Sequence, residues 1–128
     1  KERMLAIKEL RKVLDDAQNS APIHIFGRLS PVTSILYFLV GAEIFDGLSW
    51  LRNYCVGRHA HHILESYDNC GDVELSILDL RKKRMLSNLD FLESLSLRAS
   101  EFCTTGDWSL LPDGELCKEI MSSINGGL

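Results

Sequence analysis

No run of about 18 apolar residues occurs in this chain, and no short apolar segment follows a basic start, so neither a membrane span nor a secretory signal is expected. Its four cysteines, Cys55, Cys70, Cys103 and Cys117, are widely separated, which suits free thiols in a reducing cytoplasm. Proline is scarce, with 3 in all. There is no internal repeat, no low-complexity tract and no Gly-rich phosphate loop of either familiar spacing. Excess positive charge is missing too: the net charge is −4 and the pI about 5.5, which argues against a stand-alone nucleic-acid binder with a basic surface.

What is present is a chain of 128 residues, 45% of them hydrophobic, enough for one compact domain. Met4, Leu5, Ile7, Leu10, Val13 and Leu14 recur at helical spacing and predict an amphipathic helix over 2–16, with Lys8, Arg11 and Lys12 on its solvated face. Asn19 and Ser20 end it. The stretch from Pro22 to Arg58 organises the rest. Ile23, His24, Ile25 and Phe26 read as a short strand stopping at Gly27. Ser30 before Pro31 is a good helix start: the hydroxyl caps free amides, and proline gives up a donor that had no partner. Val32, Ile35, Leu36, Leu39 and Val40 make that helix apolar on more than one side, and Gly41 stops it. A second run, Glu43 to Asp46, ends in Gly47, with a helix-like segment expected from Ser49 onward.

Strand, helix, strand, helix with short connections is most simply met by a right-handed crossover in a parallel sheet. In such units the strand ends carry function, because side chains there face the crevice or barrel mouth. Gly27 and Asp46 hold equivalent strand-end places. An Asp directly after Ile44 and Phe45 needs a partner, a solvent path or a task.

The ordered set Gly27, Pro31, Gly41, Phe45, Asp46 and Arg52, within IFGRLSP and GAEIFDGLSWLR, resembles the last two strands of the tRNA-guanine transglycosylase superfamily. With His24, Phe26 and Gly27 ahead and Trp50 behind, the wording is closest to the branch that inserts 7-deazaguanine bases into DNA. The resemblance covers a little over a quarter of the chain. It implies an α/β fold, the C-terminal part of a (β/α)8 TIM-type barrel followed by a mostly helical tail. A whole barrel needs about 250 residues. The remainder is therefore expected from a missing N-terminal barrel portion or a partner chain, and the opening KERMLAIKEL, which starts inside a helix without a cap, fits the first choice.

The implied activity is base exchange in DNA or tRNA, guanine for a 7-deazapurine. Asp46 is the implied nucleophile at the sugar C1′, since an oxocarbenium-like centre is captured by an anion that can leave again. Phe26 and Gly27 fall at the base, Gly27 because a missing Cβ permits close approach. Arg52 and Arg58 are assigned to backbone phosphates, which a planar guanidinium grips through two oxygens. No cofactor is implied. The Cys-x-Cys-x-x-Cys zinc cluster of the tRNA enzymes has no counterpart here, so no metal is expected. A competing expectation is a non-catalytic subunit whose fold pieces pair with a partner chain, and a third is a small unrelated α/β domain.

Beyond Arg52 lies RHAHHILESYDNCGD, whose His59, His61 and His62 match no structural zinc spacing and are expected at the surface or near phosphate. Asp68 to Asp72 marks a turn, giving two segments: 1–66, the barrel end, and 67–128, the helical tail. From Val73 to Glu101 the chain reads as helix, its Leu75, Leu78, Leu86, Leu89, Leu92 and Leu95 a stripe expected in the core, and Arg81 to Arg84 a polar face. A last helix is expected from about Asp113 to Ile124, with Trp108 as a packing anchor.

Overall fold

The structure, a computed structural model, describes residues 1–27, 30–47, 52–56, 59–62 and 76–126. Among them the chain is mixed α/β and mostly helical, and no helix is long and apolar enough to cross a membrane. In order it forms α1 (Glu2–Asp16), β1 (His24–Phe26), α2 (Pro31–Leu39), β2 (Ile44–Asp46), β3 (Asn53–Val56), β4 (His59–His62), α3 (Ile77–Thr105), a 3₁₀ turn (Trp108–Leu110) and α4 (Gly114–Asn125).

β1 and β2 pair in parallel, His24 opposite Ile44, Ile25 opposite Phe45 and Phe26 opposite Asp46. α2 is the crossover between them. Its start follows from Ser30, whose Oγ accepts the Thr33 N–H at 3.2 Å ahead of Pro31. Gly41 leaves α2 with φ +102°, and a Cβ there would stand 2.6 Å from Cγ of Arg11, so both conformation and space require glycine. Arg11 was expected on the solvated face of α1. Its guanidinium instead donates to the carbonyls of Asn19 (3.0 Å) and Ala21 (3.2 Å) and meets Asp15 and Glu43, tying the loop before β1 to the helix.

The helix expected from Ser49 does not extend through the segment that follows. Residues 48–51 lie outside the described part, but β3 and β4 form an antiparallel hairpin with Tyr54 opposite His61. The reason lies 35 residues downstream: the Asn88 amide of α3 donates to the Asn53 carbonyl (2.8 Å) and accepts the Cys55 N–H (2.9 Å). One side chain thus serves the β3 edge as a neighbouring strand would. Tyr54 is buried against Leu80, with the Arg84 guanidinium 4.2 Å over its ring. Part of the basic run is therefore packed against the hairpin.

Ser76 caps α3, accepting the Asp79 N–H at 3.2 Å and donating to its carboxylate at 2.6 Å. Of the expected leucine stripe Leu95 is buried, but Leu78, Leu86, Leu89 and Leu92 are exposed, and Leu75 lies outside the described residues. Leu80 and Asn88, not in the stripe, point inward with Leu95, because the hairpin, α2 and α4 all lie on that side. The main core joins Ile35 and Leu36 of α2 to Leu95, Leu111 and Cys117, with Met4, Phe91, Phe102 and Trp108 packed around them. Trp108 meets Phe102 edge-to-face at 5.0 Å, the anchoring role expected of it. The boundary at 66/67 lies outside the described residues, and the core draws on both sides of it.

Candidate active site

Side chains alternate across a strand, so the register settles which residues share a face. Ile25 and Phe45 turn toward α2. His24, Phe26, Ile44 and Asp46 occupy the opposite face, on which no described helix lies. Phe26 is 74% exposed there, and Ile44 43%. The His24 and Phe26 rings, two residues apart on β1, stack at 3.9 Å between centroids with a 33° tilt. Nε2 of His24 stands 3.8 Å from Oδ2 of Asp46 across the strand pair.

The two strand ends are fastened to each other. Gly27 donates its N–H to the Asp46 carbonyl at 2.9 Å, extending the ladder one residue past β1. Its φ of +110° favours glycine, and nothing lies within 4 Å of where a Cβ would be, so the open side of this turn is accessible. Three of the residues singled out in the sequence, Phe26, Gly27 and Asp46, are thus brought together. Arg52 is exposed in the turn immediately before β3. Arg58 and Trp50 lie outside the described residues.

His24 is the member that sequence reasoning left out of the site. The signal was available: in a strand, position i−2 from Phe26 shares its face, and parallel pairing places both beside the Asp-bearing strand.

An apolar cavity lies elsewhere. A cleft of about 580 Å³ runs between α2, the hairpin and α3, lined by Phe38, Phe45, Cys55, Phe91, Leu92 and Ser96 among others. It is on the helix side of β2, behind the face that carries Asp46. Its chemistry is poor: burial pushes the Cys55 thiol up from its ordinary range, which works against a reactive thiolate. The open face, which joins a carboxylate, an imidazole and an exposed aromatic ring, is the better candidate despite having no enclosed volume.

The histidines of β4 serve the hairpin. The His61 ring lies 5.5 Å from Tyr54 and 6.1 Å from His59. Among the described residues no group of three or more His, Cys, Asp or Glu is placed to hold a metal ion. Comparison of the chain with family models, characterised proteins and solved structures yields no match.

Proposed function

We propose that this chain supplies the closing strands of a transglycosylase-like (β/α)8 barrel and that it exchanges guanine for a 7-deazapurine base in nucleic acid through Asp46. One observation carries the reading: a parallel strand pair backed by helix on one face presents Phe26, Ile44, His24 and Asp46 on the other. A two-stranded parallel sheet is rare alone, since parallel strands are ordinarily covered on both faces and flanked by further strands. In a barrel that face is the interior, and the strand ends open at its mouth, where catalytic groups sit. The apolar Phe26 and Ile44 then have a reason to stand out of the fold as it is described.

On this reading Asp46 attacks C1′ and guanine departs. The 7-deazapurine next displaces the carboxylate, restoring it. Phe26 offers its ring to the flat base, and Gly27 lets the backbone approach it. Arg52 and Arg58 are assigned to the phosphates. Completing the barrel falls to a further portion of the protein or a partner chain.

The test is trapping. The full-length protein, with any partner that completes it, is mixed with guanine-containing DNA or tRNA and a 7-deazaguanine base, and adducts are sought by denaturing gel and mass spectrometry. A covalent adduct at Asp46, lost in Asp46→Asn, supports the reading. Absence of both adduct and base exchange in a folded, completed protein moves the open face to the second reading, a pairing surface of a non-catalytic subunit.

A further inference from the structure

We infer that the outward face of α3 docks a second copy of this chain, the two helices lying antiparallel about a two-fold axis level with the step from Ser87 to Asn88. This surface is separate from the face that carries Asp46, and the inference stands whether or not that face exchanges bases.

The helix repeats itself. Leu78, Lys82 and Leu86 recur eleven residues on as Leu89, Glu93 and Leu97, the same spacing with the charge reversed. Eleven residues make three turns of about 3.67 residues, close to the ordinary 3.6, so the six side chains form one nearly straight stripe of roughly 30 Å. α3, at 29 residues, presents all of it.

The stripe is turned away from the fold. Its four leucines are 60% to 67% exposed, and Lys82 and Glu93 are exposed with them, whereas Leu80, Asn88 and Leu95 take the inward side. Neither Lys82 nor Glu93 has an ion-pair partner among the described residues. An apolar patch of this size, on the order of 400 Å², is the mark of a surface that something covers.

The order of the residues says what covers it. Antiparallel pairing about that axis sets Leu86 on the partner's Leu89, Leu78 on the partner's Leu97 and Lys82 on the partner's Glu93. By symmetry each contact occurs twice, so every member of the stripe meets another member, as a two-fold interface requires. In-register parallel pairing would instead set Lys82 on Lys82 and Glu93 on Glu93. Eight leucines closing over one another, with the stems of the four charged side chains, hide about 1,000 Å², enough for a specific but reversible dimer.

Sedimentation velocity of the full-length protein, with any partner that completes it counted as part of the monomer, tests this from about 0.1 to 100 μM. Wild type is expected to pass from monomer to dimer within that range. Leu86→Ala combined with Leu89→Ala should raise the dissociation constant at least about 100-fold while the far-UV helix signal holds, since alanine keeps the helix propensity at exposed positions. Lys82→Glu or Glu93→Lys alone sets like charges together at both symmetric contacts and should raise it about tenfold. An equimolar mixture of those two variants restores opposite charges in a mixed dimer and should recover the wild-type affinity to within about threefold, as should one chain carrying both changes. A structural role for either residue would not produce that recovery.

Wild type that stays monomeric throughout overturns the inference and gives the stripe to another partner or to further parts of the protein. A dimer indifferent to the leucine changes forms elsewhere and overturns it too. Weakening in the single charge variants without recovery in the mixture or the double variant rules out antiparallel pairing of α3.

Discussion

The two small sheets of this protein are held by opposite means. β3 and β4 are local and antiparallel, and the hairpin is locked to α3 at three points: the Asn88 amide on its edge, Tyr54 against Leu80, and Arg84 over the Tyr54 ring. β1 and β2 are parallel and joined through α2. One face is packed, and the other leaves Phe26 and Ile44 in solvent. A hairpin so tied is complete in itself. The parallel pair keeps its most chemical residues where nothing of the described chain reaches them, as expected of a surface reserved for substrate or for the rest of a barrel. Residues that matter to the first sheet should therefore report in stability, and those of the second in activity.

The contrast is broken most severely by Asp46→Asn. On the proposed reading base exchange and adduct vanish, while the thermal midpoint stays within a degree or two of wild type, because the carboxylate is mostly exposed and its only described partner is His24. Calorimetry beside the trapping assay checks both halves.

Asn88→Ala should do the reverse. It leaves the Cys55 N–H and the Asn53 carbonyl without their partner beneath the hairpin. A cost of about 2–3 kcal/mol is expected in denaturant unfolding, with the hairpin amides losing hydrogen-exchange protection first. An effect below about 0.5 kcal/mol would show that the hairpin stands without α3.

Phe26→Ala sharpens the comparison from the other side. With the ring 74% exposed, stability should move by no more than about 0.5 kcal/mol. On the proposed reading, loss of base stacking costs about 1–3 kcal/mol and raises the half-saturating concentration of free 7-deazaguanine by roughly 5- to 150-fold. A large drop in stability with unchanged base binding would make Phe26 a packing residue.

The smallest effect concerns the thiols. Burial raises the Cys55 thiol, and burial with the Asp113 charge raises that of Cys117, whose Sγ also donates to the Pro112 carbonyl at 3.5 Å. A raised thiol holds less thiolate at any given pH, so both should react slowly with maleimide near neutrality and faster as pH rises. Of the three described thiols, exposed Cys103 should label first. Mass spectrometry of peptides resolves the order.

Much of this was legible in the chain itself. α1, β1, α2 and β2 fall where periodicity, Ser30–Pro31 and Gly41 place them, because each is specified by neighbours within a few residues. The hairpin was not legible. His59 to His62 hold no β-branched residue to mark a strand, so the Gly57-Arg58 pair between the two runs goes unread, and the group that secures the β3 edge, Asn88, lies far along the sequence. The leucine stripe of α3 misled for a related reason. Of its described members only Leu95 is buried; the position of the neighbours selects it, together with Leu80 from outside the stripe, over Leu78, Leu86, Leu89 and Leu92.

The site divides in the same way. Gly27 and Asp46 could be named from the strand ends, whereas Phe26 entered only through the family resemblance. The partnership of His24 with Asp46 needed the register, since shifting the pairing by one residue would turn one of them to the helix side. By itself the sequence determined the local elements, their caps and the residue types at the strand ends, all short-range matters of backbone sterics and hydrogen bonding. The tertiary structure alone decided which face of α3 is buried, that the segment after Arg52 is a hairpin, and that His24, Phe26 and Asp46 share one open face. Those outcomes depend on contacts between residues tens of positions apart, which no local pattern encodes.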